Sequence, residues 1–210
     1  MARGSEGERR KREHYYRAAK KAGYRSRSAF KIKQMTKDHG LLKGVDTVLE
    51  LCSAPGGWTQ VLQELNPSLR IVAIDLDEMQ PVQGAHFIRG SILDDDIIKK
   101  ATDIMGGTFD LVLSDCSPKV SGQWELDVAR QLELAKRTFD IGLQVLEHNG
   151  KALAKVFQGK GFQEFLQLIK KKYNSAKLVK PPASRKSSAE IYLLAIGPRK
   201  SVDDDGLHSD

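Results

Sequence analysis

The chain has 210 residues, 40% of them hydrophobic and 29% charged, which suits one domain with a single sizeable core. No apolar run approaches the roughly 18 residues of a membrane span, and the N-terminus lacks the apolar core of a signal peptide. Two cysteines, Cys52 and Cys116, are too few for a disulfide framework, so the expectation is a cytoplasmic protein with no membrane partner.

In chain order, residues 1–13 are charged and short of apolar side chains, which predicts a mobile segment. Helical spacing follows over 14–22 and 27–40, with Phe30, Ile32 and Met35 as the buried positions and Gly40 as a stop. From there apolar runs at 45–51, 70–75, 85–89, 109–114 and 151–157 read as strands. Helices are expected at 57–66, 94–105, 125–148 and 160–172, the third ending at Asn149-Gly150. Two extended pieces, NSAKLVKP and AEIYLLAIG, close the folded region. The loop between them is too short for a crossover helix, so this pair is expected to be antiparallel. The units are therefore a basic N-terminal arm over 1–23, one domain over 24–200, and a disordered acidic tail over 201–210.

The net charge of +7 is unevenly spread. Residues 1–33 carry 12 basic and 3 acidic side chains, and residues 151–200 carry 12 and 2, whereas residues 34–150 carry 10 and 18. Two dense basic blocks with interleaved aromatics (Tyr15, Tyr16, Tyr24, Phe30) favour a nucleic-acid backbone over a merely solvated surface.

The most specific local signal is VLELCSAPGGWTQ, residues 48–60. A strand, a glycine turn and a helix in succession bring backbone close to a nucleotide-like ligand, and Gly56 and Gly57 remove side chains from that approach. Asp75 ends the next strand 19 residues beyond Gly56, near the offset at which a carboxylate meets a ribose diol. Pro55 and Trp58 break the dinucleotide pattern G-x-G-x-x-G, which moves the expectation from a nicotinamide cofactor to S-adenosylmethionine. Functional residues of open α/β sheets gather at the carboxyl ends of the strands, here Glu50, Asp75, Ser91, Asp115 and Lys155. Lys155 lies in an apolar strand, where lysine is rare without a partner.

Over Tyr24 to Gly197 the chain resembles the FtsJ/RrmJ family of RNA 2′-O-ribose methyltransferases, through YRSRSAFK, APGGW, SDCSPK, KVFQGKGF and SAEIYLLAIG. The resemblance implies a Rossmann-like class I methyltransferase fold, a mostly parallel seven-stranded sheet with a C-terminal antiparallel hairpin. It implies the catalytic set Lys31, Asp115, Lys155 and Glu190, and a pocket for S-adenosylmethionine lined by Gly56, Trp58, Asp75 and Asp115. After the third strand the family has Gly-Asp, whereas this chain has Gly90-Ser91, so Ser91 or Asp94 is left to meet the adenine. The implied partner is RNA, within the large ribosomal subunit, and the implied target a uridine of its ribosomal RNA. A tRNA anticodon loop, or a nonenzymatic role in ribosome assembly, is the alternative. A monomer needing no metal is expected.

The residue types suit the reaction. A ribose hydroxyl must lose its proton as a methyl group moves onto its oxygen, and a lysine accepts that proton only when neutral. From a reference pKa of about 10.4, neutrality at pH 7 costs about 4.6 kcal/mol. Desolvation and Lys31 favour the neutral form of Lys155; Asp115 and Glu190 oppose it. Cys52 and Cys116 also suggest a cytosine-5 methyltransferase, but the fifth strand has Lys155 where that family places its nucleophile.

Overall fold

The computed structural model describes residues 3–185 and 187–199, so the acidic tail lies outside the described residues. Helix α1 spans Arg3–Lys21 and α2 Ala29–His39. There follow β1 (Thr47–Leu51), α3 (Gly57–Leu65), β2 (Arg70–Asp75), β3 (Ala85–Arg89), α4 (Asp95–Met105) and β4 (Phe109–Ser114). The chain continues through α5 (Trp124–Val145), β5 (Leu146–Phe157), α6 (Phe162–Lys172), β6 (Tyr173–Val179) and β7 (Glu190–Pro198).

One seven-stranded sheet has the order β3-β2-β1-β4-β5-β7-β6. Strands β1 to β5 pair in parallel, and β7 inserts antiparallel between β5 and β6, as the short final loop predicts. The class I methyltransferase architecture is thus present as expected. Strand order reverses at β1 and β4, which opens a crevice beyond their carboxyl ends.

Strand alternation divides the core between the two faces of the sheet. Leu49, Leu51, Val72 and Leu193 pack with α4, α5 and α6 on one face. Val48, Ile71, Leu153, Tyr192 and Leu194 pack with α2 and α3 on the other, through Ile32, Met35, Trp58 and Leu62. Burial of the central strands on both faces explains why they read as continuous apolar runs rather than alternating ones.

Two boundaries and the state of the cysteines differ from the sequence reading. Helix α1 is already formed at Arg3, so the helical segment starts well before His14. Tyr15 and Ala19 anchor it: the Tyr15 ring lies 5.4 Å from that of Phe30 on α2, and Ala19 is buried. Helix α5 stops at Val145, because Leu146 is extended and already pairs with Phe109 of β4. The cysteines, in turn, form one disulfide between Cys52 and Cys116. A count of two excludes a framework of several bridges, but adjacent parallel strands bring these two residues, 64 apart in sequence, to neighbouring strand ends.

Candidate active site

The glycine turn after β1 starts α3 with Gly56 at φ +100°, a conformation that disfavours any side chain. Its close approach is to the chain's own N-terminal segment. A Cβ at Gly56 would lie 2.8 Å from Arg25 Nη1, and one at Gly57 would lie 2.2 Å from Ser26 Oγ. Arg25 spans the turn and the loop after β2, donating to the carbonyls of Pro55 (3.2 Å), Gln80 (2.6 Å) and Pro81 (2.9 Å). The absence of side chains at the two glycines thus lets the RSRS segment pack closely on the turn.

That packing carries α2, and with it Lys31, over the carboxyl end of the sheet. Trp58 completes the attachment. Its indole N–H donates to the Ser28 carbonyl at 2.9 Å, and its ring, 3% exposed, lies 5.9 Å from that of Tyr192. It holds the site's wall from behind.

The four residues named by the resemblance converge. Lys31 Nζ is 2.5 Å from Glu190 Oε1, and the Ser184 hydroxyl is 3.1 Å from the same oxygen. Lys155 Nζ donates to the Asp115 main-chain carbonyl at 2.7 Å and sits 3.3 Å from Asp115 Oδ1. The Lys155 side chain is 7% exposed, the most enclosed of the four, and its burial is matched by an ion pair.

Tyr192 ties the two pairs together and was missed in the sequence. Its hydroxyl donates to Asp115 Oδ1 at 2.7 Å, and Lys31 Nζ lies 5.6 Å from its ring centroid. In the β5–β7 ladder it stands directly opposite Lys155. Burial pushes its hydroxyl well above the usual tyrosine range, with Asp115 and Glu190 adding to the rise, so it remains a donor. The available signal was strand parity, since Tyr192 follows Glu190 by two and shares its face.

Carboxylates also stand at the ends of β1 and β2. Asp75 accepts from the Ala54 N–H through Oδ2 and from the Asp77 N–H through Oδ1, both at 2.8 Å, so it pins the β1 turn to the β2 loop. Glu50 is buried and accepts from the Thr59 hydroxyl at 2.7 Å. Burial is the main cause that raises its carboxyl to about 8; the Thr59 hydrogen bond opposes this, and the charge of Asp115 adds to it. The Ser53 hydroxyl, in the turn after β1, is buried with no hydrogen-bond partner among the described residues. Ser91, half-buried, accepts from the Leu93 N–H at 3.1 Å. Asp94 caps α4 through the Asp96 N–H, which accounts for that carboxylate structurally. Among the described residues no group of three or more metal-ligating side chains converges, and no helix is long and apolar enough to cross a membrane.

The chain is also similar to known proteins. A protein named ribosomal RNA large subunit methyltransferase E from Archaeoglobus fulgidus is 41% identical over 190 residues, covering 90% of this chain and 98% of that protein. A protein of the same name from Methanobrevibacter smithii is 38% identical, covering 91% and 94%. A crystal structure of a ribosomal RNA methyltransferase from Plasmodium falciparum superposes with a TM-score of 0.76 at 25% identity, covering 85% of this chain and all of that one. The model of the FtsJ-like methyltransferase family matches residues 24–198, and the chain belongs to that family.

Proposed function

We propose that this protein methylates a ribose 2′-hydroxyl of RNA, with S-adenosylmethionine as donor, and that the target is a uridine of large-subunit ribosomal RNA. The observation that carries the reading is the convergence of Lys31, Asp115, Lys155 and Glu190 around Tyr192. The names of the archaeal relatives support the ribosomal target. S-adenosylmethionine supplies an electrophilic methyl group on a sulfonium centre. The chemistry of the crevice suits such a donor: Asp75 and Asp115 offer carboxylate lone pairs, and Ser53 a hydroxyl without a partner among the described residues.

Lys155 spends two contacts on Asp115, and a third direction of its amine is left for the 2′-hydroxyl. In its amine form it takes the hydroxyl proton as the oxygen–methyl bond forms and the sulfur–methyl bond breaks. Tyr192 and Asp115 fix the amine's position, and Lys31 with Glu190 holds the other side of the ribose. Positioning of this kind supplies much of a barrier reduction without covalent chemistry. The basic face of α1 and the basic block after β5 hold the RNA backbone on either side.

Lys155→Ala should lower methyl transfer by at least about 100-fold, the usual scale for a lost general base, while calorimetry shows unchanged cofactor affinity. RNA carrying a 2′-deoxy target nucleotide should accept no methyl group. Transfer to that RNA would sink the reading.

A further inference from the structure

Beyond the catalytic set, the carboxyl edge of the sheet carries an aromatic pair that the reaction has not used. Trp124, the first residue of α5, stacks on Phe157, the last of β5, with ring centroids 5.9 Å apart and planes 18° from parallel. Trp124 remains 52% exposed and Val120, in the loop before it, 73% exposed. Phe157 is two residues beyond Lys155 on the same strand and stands directly opposite Glu190 in the ladder. Directly opposed side chains on neighbouring strands lie about 5 Å apart at Cβ, so the pair borders the catalytic centre.

The platform is held in place. Asp127 accepts from the Ser121 N–H at 2.8 Å, the Ser121 hydroxyl at 2.7 Å and the Gly122 N–H at 3.3 Å, which fixes the turn that leads into Trp124. Exposed Lys119 and Lys160 lie on the two loops that adjoin the rings, one before Trp124 and one after Phe157. A flat, half-exposed aromatic surface with a basic residue on each adjoining loop is a combination that single-stranded nucleic acid uses, with bases stacking on the rings and phosphates meeting lysines.

We propose that Trp124 and Phe157 form a stacking site for an unpaired nucleobase of the substrate RNA, next to the ribose that is methylated. The proposal rests on the RNA-directed reading above, and makes Trp124 a residue that positions RNA rather than one that reacts. A stacked base is lost at a cost of roughly ten- to hundredfold in affinity.

The test uses the full chain with oligouridylate and with an abasic ribose-phosphate oligomer of equal length. Oligouridylate should quench the intrinsic fluorescence of the wild type, and the abasic oligomer should not. The quench should vanish in Trp124→Phe, since Trp58 is buried. Trp124→Ala should bind oligouridylate roughly ten- to hundredfold more weakly, Trp124→Phe within a few-fold of wild type, and both should bind the abasic oligomer as wild type does. Equal quenching by the abasic oligomer, or unchanged oligouridylate affinity in Trp124→Ala, would overturn the proposal. If Trp124→Ala does not fold, the abasic comparison and Trp124→Phe still decide. Methyl incorporation by the wild type is scored separately. Base-dependent quenching without transfer would leave the platform standing and remove the methylation reading.

Discussion

Replacing Glu50 with glutamine isolates the free energy tied up in a buried carboxyl at the end of β1. Its environment raises the carboxyl from an ordinary 4.5 to about 8. Between those values the folded chain keeps a proton that the unfolded chain has lost, so each rise in pH favours unfolding. The contribution is whole below about pH 4.5 and gone once the pH passes about 8. At 1.36 kcal/mol per unit, the full range is worth up to about 5 kcal/mol. Glutamine has the shape of the neutral acid, its carbonyl can accept from Thr59, and it does not titrate. The stability of Glu50→Gln relative to wild type should therefore rise by roughly 3 kcal/mol between about pH 5 and about pH 7. Urea denaturation of both proteins under non-reducing conditions, without cofactor, measures this difference and cancels groups that titrate alike in the two. A difference that stays level with pH would show that Glu50 ionises in the folded protein as it does in the unfolded chain, and the argument from burial would fail.

Asp75→Ala should weaken S-adenosylmethionine binding at least about tenfold by calorimetry, since a hydrogen bond to a charged group is worth roughly 1.5–3 kcal/mol; undiminished affinity would remove Asp75 from the pocket. Tyr192→Phe removes the hydroxyl that holds Asp115, so single-turnover methyl transfer should slow about tenfold or more while cofactor affinity changes little; an unchanged rate would make Tyr192 a packing residue only. Replacing exposed Lys20 and Lys21 together with alanine should flatten the slope of log affinity for RNA against log salt by up to about 2, as measured by filter binding; an unaltered slope would mean that α1 does not face phosphate.

Local patterns in the sequence were enough for the order of elements, the antiparallel end and the strand-terminal carboxylates. Apolar period and turn residues act within a few positions, and the short loop before β7 leaves only one strand direction. Strand ends gave Asp115 and Lys155 as candidates, and resemblance to a family joined them with Lys31 and Glu190 as one set, which their spacing alone does not reveal. The tertiary structure decided what those residues touch. Lys31 and Glu190, 159 positions apart, meet because Arg25, Ser26 and Trp58 fasten the N-terminal segment across the glycine turn. The same packing gives Gly57 a close approach by the chain's own Ser26, which no local pattern reveals. Tyr192 and the disulfide follow from strand neighbours that are distant in sequence, and the start of α1 from contacts with α2. Periodicity specifies which side chains a strand offers to each face; sheet order and register then determine which of them become neighbours, and both are set by burying the whole core at once.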